Sequence, residues 1–168
     1  AGFQAMDLSY FHASSLWIIL ILMFIGASPG STGGGIKTTT FSVLLSAVWN
    51  NIRGMNTIEI FGRTLPQKVV YKAITILVIS VIIIFSFFYT LLWTEIIDFF
   101  PILFETISAY STVGYSLGIT ESMTPYGKLL LILLMFIGRI GPLTFAFALA
   151  KQKTHPSYKY PKETLFLG

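Results

Sequence analysis

Residues 16–49 form an apolar run of membrane length, LWIILILMFIGA followed by TTTFSVLLSAVW, that is cut in its middle by SPGSTGGGIK at residues 28–37. In hydrocarbon every backbone N–H and C=O needs a partner, so irregular backbone at membrane depth survives only where protein covers it or where it lines water. Gly30, Gly33, Gly34 and Gly35 crowd the break, and each costs about 1 kcal/mol of helix stability relative to alanine. The run therefore reads as one interrupted span. Composition agrees: of 168 residues, 54% are hydrophobic and 11% charged, and the mean hydropathy is +0.77, against roughly 25% charge in a soluble domain. A water-soluble enzyme is excluded. With no cysteine there are no disulfides, thiolate metal sites or thiol nucleophiles, and His12 and His155, read as solvated or capping residues, cannot build a zinc centre.

Two more stretches have spanning length. Residues 69–93 carry one charge, Lys72, and are predicted to cross without a break, whereas residues 129–150 are apolar except for Arg139 and hold GRIGP at their centre, which predicts a kinked crossing. Between them DFFPILFETISAYS, residues 98–111, has Pro101 near its start, is too short to span and leads straight into TVGYS at residues 112–116. A helix that dips into the bilayer and an extended segment that returns is the expected form. Trp17, Trp49 and Trp93 stand near span ends, as interfacial anchors do.

Charge sets the orientation. Arg53, Arg63, Lys68 and Lys72 surround the first connection, and Lys151, Lys153, Lys159 and Lys162 follow the last span, so the positive-inside rule makes both regions cytoplasmic. Asp7, Glu95, Asp98, Glu105 and Glu121 then belong to the outer side, facing the entrance or standing in solvated loops, while Glu59 and Glu163 lie inside. The formal charge of +4 is not gathered on a polar helix or an aromatic-interleaved strand, so nucleic acid is not the partner.

The chain repeats itself. The interval that carries Met23 to Met135 lays one LMFIG on another with full identity, and the same interval places Gly2-Phe3 on Gly114-Tyr115, Thr32 on Thr144 and Ala27 on Arg139. Thr112 and Val113 precede the second glycine but only Ala1 precedes the first, so the sequence opens inside a motif, with no secretory signal. The expectation is the C-terminal part of a longer protein. TVGYS points to ions: a potassium ion that sheds its water needs a stack of backbone carbonyls, which only an unusual extended backbone aims inward. Gly114 permits that backbone, Thr112 adds a hydroxyl, and Val113 and Tyr115 are expected to pack outward against the re-entrant helix.

On these motifs the sequence resembles the Trk/Ktr/HKT superfamily of cation transporters, in particular its KtrB or TrkH type of potassium-uptake membrane subunit, and the resemblance covers essentially the whole chain. It implies an all-α membrane protein built of repeated helix, pore-loop, helix units around a central ion pore. By the same resemblance residues 1–50 are the end of a third-repeat filter with its broken inner helix, 51–68 a cytoplasmic connection, 69–150 a fourth repeat, and 151–168 a cytoplasmic tail. AGFQAMD is similar to the third filter, with Ala1, Gly2, Phe3 and Gln4 as its residues, and STVGYS to the fourth, with Thr112, Val113, Gly114, Tyr115 and Ser116. Potassium is the transported substrate, held by the backbone carbonyls of Thr112, Val113 and Gly114, and no cofactor is implied.

The resemblance also makes the break a gate below the filter, formed by Gly30, Ser31, Thr32, Gly33, Gly34, Gly35 and Lys37. Arg139, a charge that costs about 2.5–3.5 kcal/mol at mid-span, is expected to donate hydrogen bonds to that loop and to add a positive barrier; a purely structural arginine is the other reading. A phosphate-binding loop fails by one residue, since Ile36 separates Gly35 from Lys37-Thr38. The resemblance further implies a lipid bilayer, a homodimer and a cytosolic nucleotide-binding regulatory subunit as partners, in the plasma membrane. Two alternatives stay open: a non-conducting assembly subunit, and a relative that passes sodium as well as potassium.

Overall fold

The computed structural model describes residues 2–3, 8–55, 58–60, 63–142 and 144. The first span is interrupted as expected. Helix α1 (Ala13–Ile25) starts after an exposed His12 that makes no side-chain cap, and stops at Gly26, whose φ of 72° belongs to the left-handed region. Helix α2 (Thr38–Ile52) resumes beyond an irregular segment. At 1.5 Å per residue the two helices run about 20 and 22 Å, so only together do they match a bilayer core of about 30 Å.

The connection after α2 is more than a loop. Strands β1 (Ile58–Ile60) and β2 (Arg63–Leu65) pair antiparallel, Ile58 opposite Leu65 and Ile60 opposite Arg63. This hairpin corrects the all-helical reading. Its cause is local: Ile-Glu-Ile and Arg-Thr-Leu are short alternating runs around Phe61-Gly62, and the buried Asn50 donates to the Glu59 carbonyl at 3.1 Å, tying the hairpin to α2.

Helix α3 (Gln67–Thr94) has 28 residues, and among the described residues it is the one helix long and apolar enough to cross a membrane by itself. One face, with Ala73, Ser80, Ile84, Phe88 and Leu91, is buried; another, with Tyr71, Val78, Ile82, Phe85 and Tyr89, is exposed and equally apolar. A contiguous bare face of this kind suits lipid or protein rather than water.

Helix α4 (Phe99–Tyr110) is a short helix, and Ile102, Phe104, Thr106 and Tyr110 are completely enclosed. From Ile102 onward it is buried on nearly every side, and its polar residues Glu105, Thr106 and Ser108 are enclosed along with the apolar ones. The Tyr110 hydroxyl donates to Ser80 Oγ at 2.7 Å, and Ser80 passes the bond on to the Ile76 carbonyl of α3. Helix α5 (Pro125–Ile140) begins four residues before the expected start at 129, because Thr124 is an N-cap whose Oγ1 accepts from Gly127 N at 3.2 Å, with Pro125 at the first helical position. It closes at Gly141, φ 96°, and Pro142 and Thr144 are helical again beyond it, so the helix is interrupted within GRIGP, where the kink is expected. Residues 145–150 of that expected span, the tail 151–168 with its lysines, Glu163 and His155, and Asp7 lie outside the described residues.

Two acids do not face an entrance. Glu95, at the C-terminal end of α3, is buried and holds the start of α5: Oε2 accepts from Thr124 N at 3.0 Å and Oε1 from the Thr124 hydroxyl at 2.5 Å. A carboxylate suits the positive end of a helix dipole. Glu105, inside α4, is buried as well. Asp98 and Glu121 are exposed.

Candidate functional site

The end of α4 delivers the TVGYS segment. Backbone N–H groups of Ser111, Thr112 and Val113 donate to the carbonyls of Ile107, Ala109 and Ser108 at 2.9, 3.1 and 3.0 Å, so the helix's last acceptors are used up by the turn that leaves it. Thr112 carries φ 52° and Gly114 φ 87°. A β-branched residue in the left-handed region is a conformational outlier that its surroundings must enforce. From Val113 to Leu117 the backbone belongs to no helix or strand, and Val113 and Tyr115 pack half-buried against the core.

Gly2 meets this segment. Its N–H donates to the Val113 carbonyl at 2.8 Å, and a Cβ on Gly2 would stand 2.8 Å from the Gly114 carbonyl oxygen. The two glycine-aromatic pairs matched by the internal repeat are therefore neighbours in space. Phe3 points away and is almost fully exposed. Ala1 and Gln4 lie outside the described residues.

The glycine-rich break lies directly beneath. Gly34 N donates to Thr112 Oγ1 at 2.7 Å. A Cβ on Gly34 would meet Tyr110 O at 2.9 Å, Thr112 Oγ1 at 3.0 Å and Gly138 O at 3.1 Å, so the loop, the turn after α4 and α5 converge there, two of the three contacts being backbone carbonyls. Gly138 itself packs so closely on Tyr110 O that any Cβ would overlap it. Lys37, at the start of α2, donates from Nζ to the Gly33 carbonyl at 2.5 Å and pins the loop's returning arm. Ile36 is fully enclosed, and its N–H reaches the Phe24 carbonyl at 3.4 Å.

The expected gate residues thus divide. Gly33, Gly34, Gly35 and Lys37 form the packed part; Gly30, Ser31 and Thr32 form an exposed tip, with Ser31 Oγ accepting from Gly33 N at 3.2 Å. Arg139 departs from expectation: its side chain is exposed, and among the described residues it makes no hydrogen bond to the loop. The reason is helical phase. The residue that α5 turns toward the loop is Gly138, and its neighbour points elsewhere.

Two cavities flank the segment. One of about 430 Å³ is bounded by Met23, Gly26, Gly33, Thr112 and Val113. The other, about 470 Å³, is bounded by Glu105, Ser108, Gly114, Ser116 and Thr120. Ser111, whose buried Oγ has no hydrogen-bond partner, together with Ile36 and Gly138, was not singled out by sequence reasoning. Gly138 had a signal, the repeated LMFIG; the other two had none.

Comparison with known proteins gives a consistent result. A family model described as TrkH, cation transport protein, matches residues 1–162. The chain is 42% identical over its full length to the Ktr system potassium uptake protein B of Vibrio alginolyticus, covering 37% of that protein, and 42% identical to the protein of the same name from Bacillus subtilis, covering 38%. It is 37% identical to the potassium/sodium uptake protein NtpJ of Enterococcus hirae, covering 39%. The chain thus spans under two fifths of the length of these relatives.

Proposed function

We propose, since this chain belongs to the TrkH family of cation transport proteins, that it supplies two filter loops and the gate of a potassium-uptake pore in the plasma membrane. One observation carries the reading: the Gly34 N–H on Thr112 Oγ1 at 2.7 Å, which sets a glycine-rich intramembrane loop against the inner end of a segment with alternating, partly left-handed backbone. Gly2 and Gly114 sit side by side as the centres of adjacent filter loops, and the carbonyls of Thr112, Val113 and Gly114 replace water around potassium. The remaining filter loops belong to residues beyond the chain, in repeats of the same helix, pore-loop, helix pattern around one pore.

In this reading the loop is drawn closed. Its packed part, from Gly33 to Lys37, obstructs the path below Thr112, and opening withdraws Gly34 from the threonine. Arg139, in the last turn of α5 beside Gly138, acts through its charge as a barrier to cations rather than through a bond to the loop; Arg139→Ala raises leak. Relatives named as Ktr system proteins support a membrane subunit that works with a separate regulatory subunit; a homodimer, and a cytosolic nucleotide-binding character for that regulatory subunit, complete the proposal.

Potassium is favoured over a shared potassium and sodium pathway by the glycine at both visible filter centres, where a serine would add a side chain to the ion path. Rubidium uptake by the full-length protein tests it. Gly114→Ser is expected to lower the preference for rubidium over sodium; an unchanged preference overturns the filter assignment.

A further inference from the structure

A buried carboxylate lies behind the pore-loop segment, and the reading above gives it no role. Glu105 is 7% exposed, sits in the middle of α4 and lines the cavity shared with Ser108, Gly114, Ser116 and Thr120. An ionisable group at that depth costs enough to call for a specific partner. It has one on a single oxygen: the Thr120 hydroxyl donates to Oε1, while Oε2 is buried without a hydrogen-bond partner.

The bonds form a directed chain. A carboxylate only accepts, so the single proton of the Thr120 hydroxyl is committed to Glu105. Thr120 Oγ1 must then accept from Ser116 Oγ, 3.1 Å away, and Ser116 Oγ in turn accepts from Gly118 N at 3.0 Å. Every arrow runs toward Glu105. Such chains strengthen cooperatively, and this one spans from the outer end of TVGYS, across Gly118 with its φ of 85°, to the re-entrant helix.

We propose that Glu105 and Thr120 are positioning residues for ion selectivity: through Ser116 they fix the outer half of the filter loop to α4, so that its carbonyls hold the spacing that favours potassium over the smaller sodium. The proposal rests on the filter reading above. Ion preference follows from it because a filter free to contract would fit its oxygens around the smaller ion as well.

The test uses the full-length protein in proteoliposomes, with rubidium and sodium fluxes measured in parallel and thermal unfolding followed on the same samples. Thr120→Val keeps the shape and removes the donor; it is expected to lower the rubidium-over-sodium preference about tenfold, equivalent to about 1.4 kcal/mol, while Thr120→Ser stays near wild type. Glu105→Leu is expected to reproduce the Thr120→Val loss, and the double variant to add nothing further, as partners in one chain require. A wild-type preference in a folded Thr120→Val protein overturns the proposal, as does an equal loss in Thr120→Ser. If Glu105→Leu does not fold, the Thr120 pair decides alone. Gly114→Ser separates the two readings: ion preference that responds to Gly114→Ser but not to Thr120→Val sinks this inference only, and preference that responds to neither sinks the filter assignment with it.

Discussion

At Gly34 and Gly138 the molecule uses the absence of a side chain as a fitting. Three carbonyl or hydroxyl oxygens stand about where a Gly34 Cβ would go, at 2.9 to 3.1 Å, and two of them are backbone atoms that cannot rotate aside. Gly34→Ala therefore pushes the loop off Thr112, and basal rubidium uptake by the full-length protein is expected to rise several-fold; uptake at or below wild type would contradict the loop's role as an obstruction. At Gly138 the conflict is with the Tyr110 carbonyl alone and is more severe. Overpacking typically costs about 1–3 kcal/mol, and a clash against backbone reaches the upper end. Gly138→Ala should lower the thermal midpoint of the purified protein, and by more than Gly30→Ala, where the space is open and only the backbone strain at φ 80° opposes a side chain.

Among the elements, α4 is tied at its C-terminal end through Tyr110 and Ser80, and α5 at its start through Glu95. Glu95 joins α3 to α5 through two hydrogen bonds to Thr124, and bonds to a charged group contribute about 1.5–3 kcal/mol each. Glu95→Ala is expected to destabilise the full-length protein by about 2–4 kcal/mol, read by thermal or denaturant unfolding in detergent, with Glu95→Gln intermediate because its amide oxygen still accepts one bond. The elements were largely legible in the sequence because hydrophobic runs and their breakers carry the information: α3, the interrupted α1–α2 pair and the short α4 follow from apolar length, SPGSTGGGIK and Pro101. Misreadings arose where a small polar signal was overlooked. Thr124-Pro125 is an N-cap followed by a first-turn proline, yet apolar content alone put the helix start later; the β1–β2 hairpin hid in a stretch defined only by its charges. Within the site, Gly2, Gly114, Gly34 and Lys37 were visible as residue types, whereas burial of Glu95 and Glu105 was not, since a sequence shows a charge but not what encloses it.

For the whole molecule, the proposed function turns the exposed apolar face of α3 toward lipid and the basic connection at residues 51–68 toward the cytoplasm. The chain contains no cysteine, so single cysteines report sidedness without background from this part of the protein. In intact cells Glu121→Cys is expected to react with a membrane-impermeant thiol reagent and Arg63→Cys only after lysis; the opposite pattern would invert the topology. Trp93, 83% exposed at the end of α3, should be quenched by lipids brominated near the headgroup more than by those brominated at the chain terminus.

The stitch from Gly2 to Val113 reaches further than its one hydrogen bond. It joins the two glycine-aromatic pairs that the internal repeat matches, so neither can drift alone: a change that suits one alters its neighbour's backbone too. Duplicated units joined this way inherit their constraints jointly, and compensating substitutions should fall in pairs across the seam.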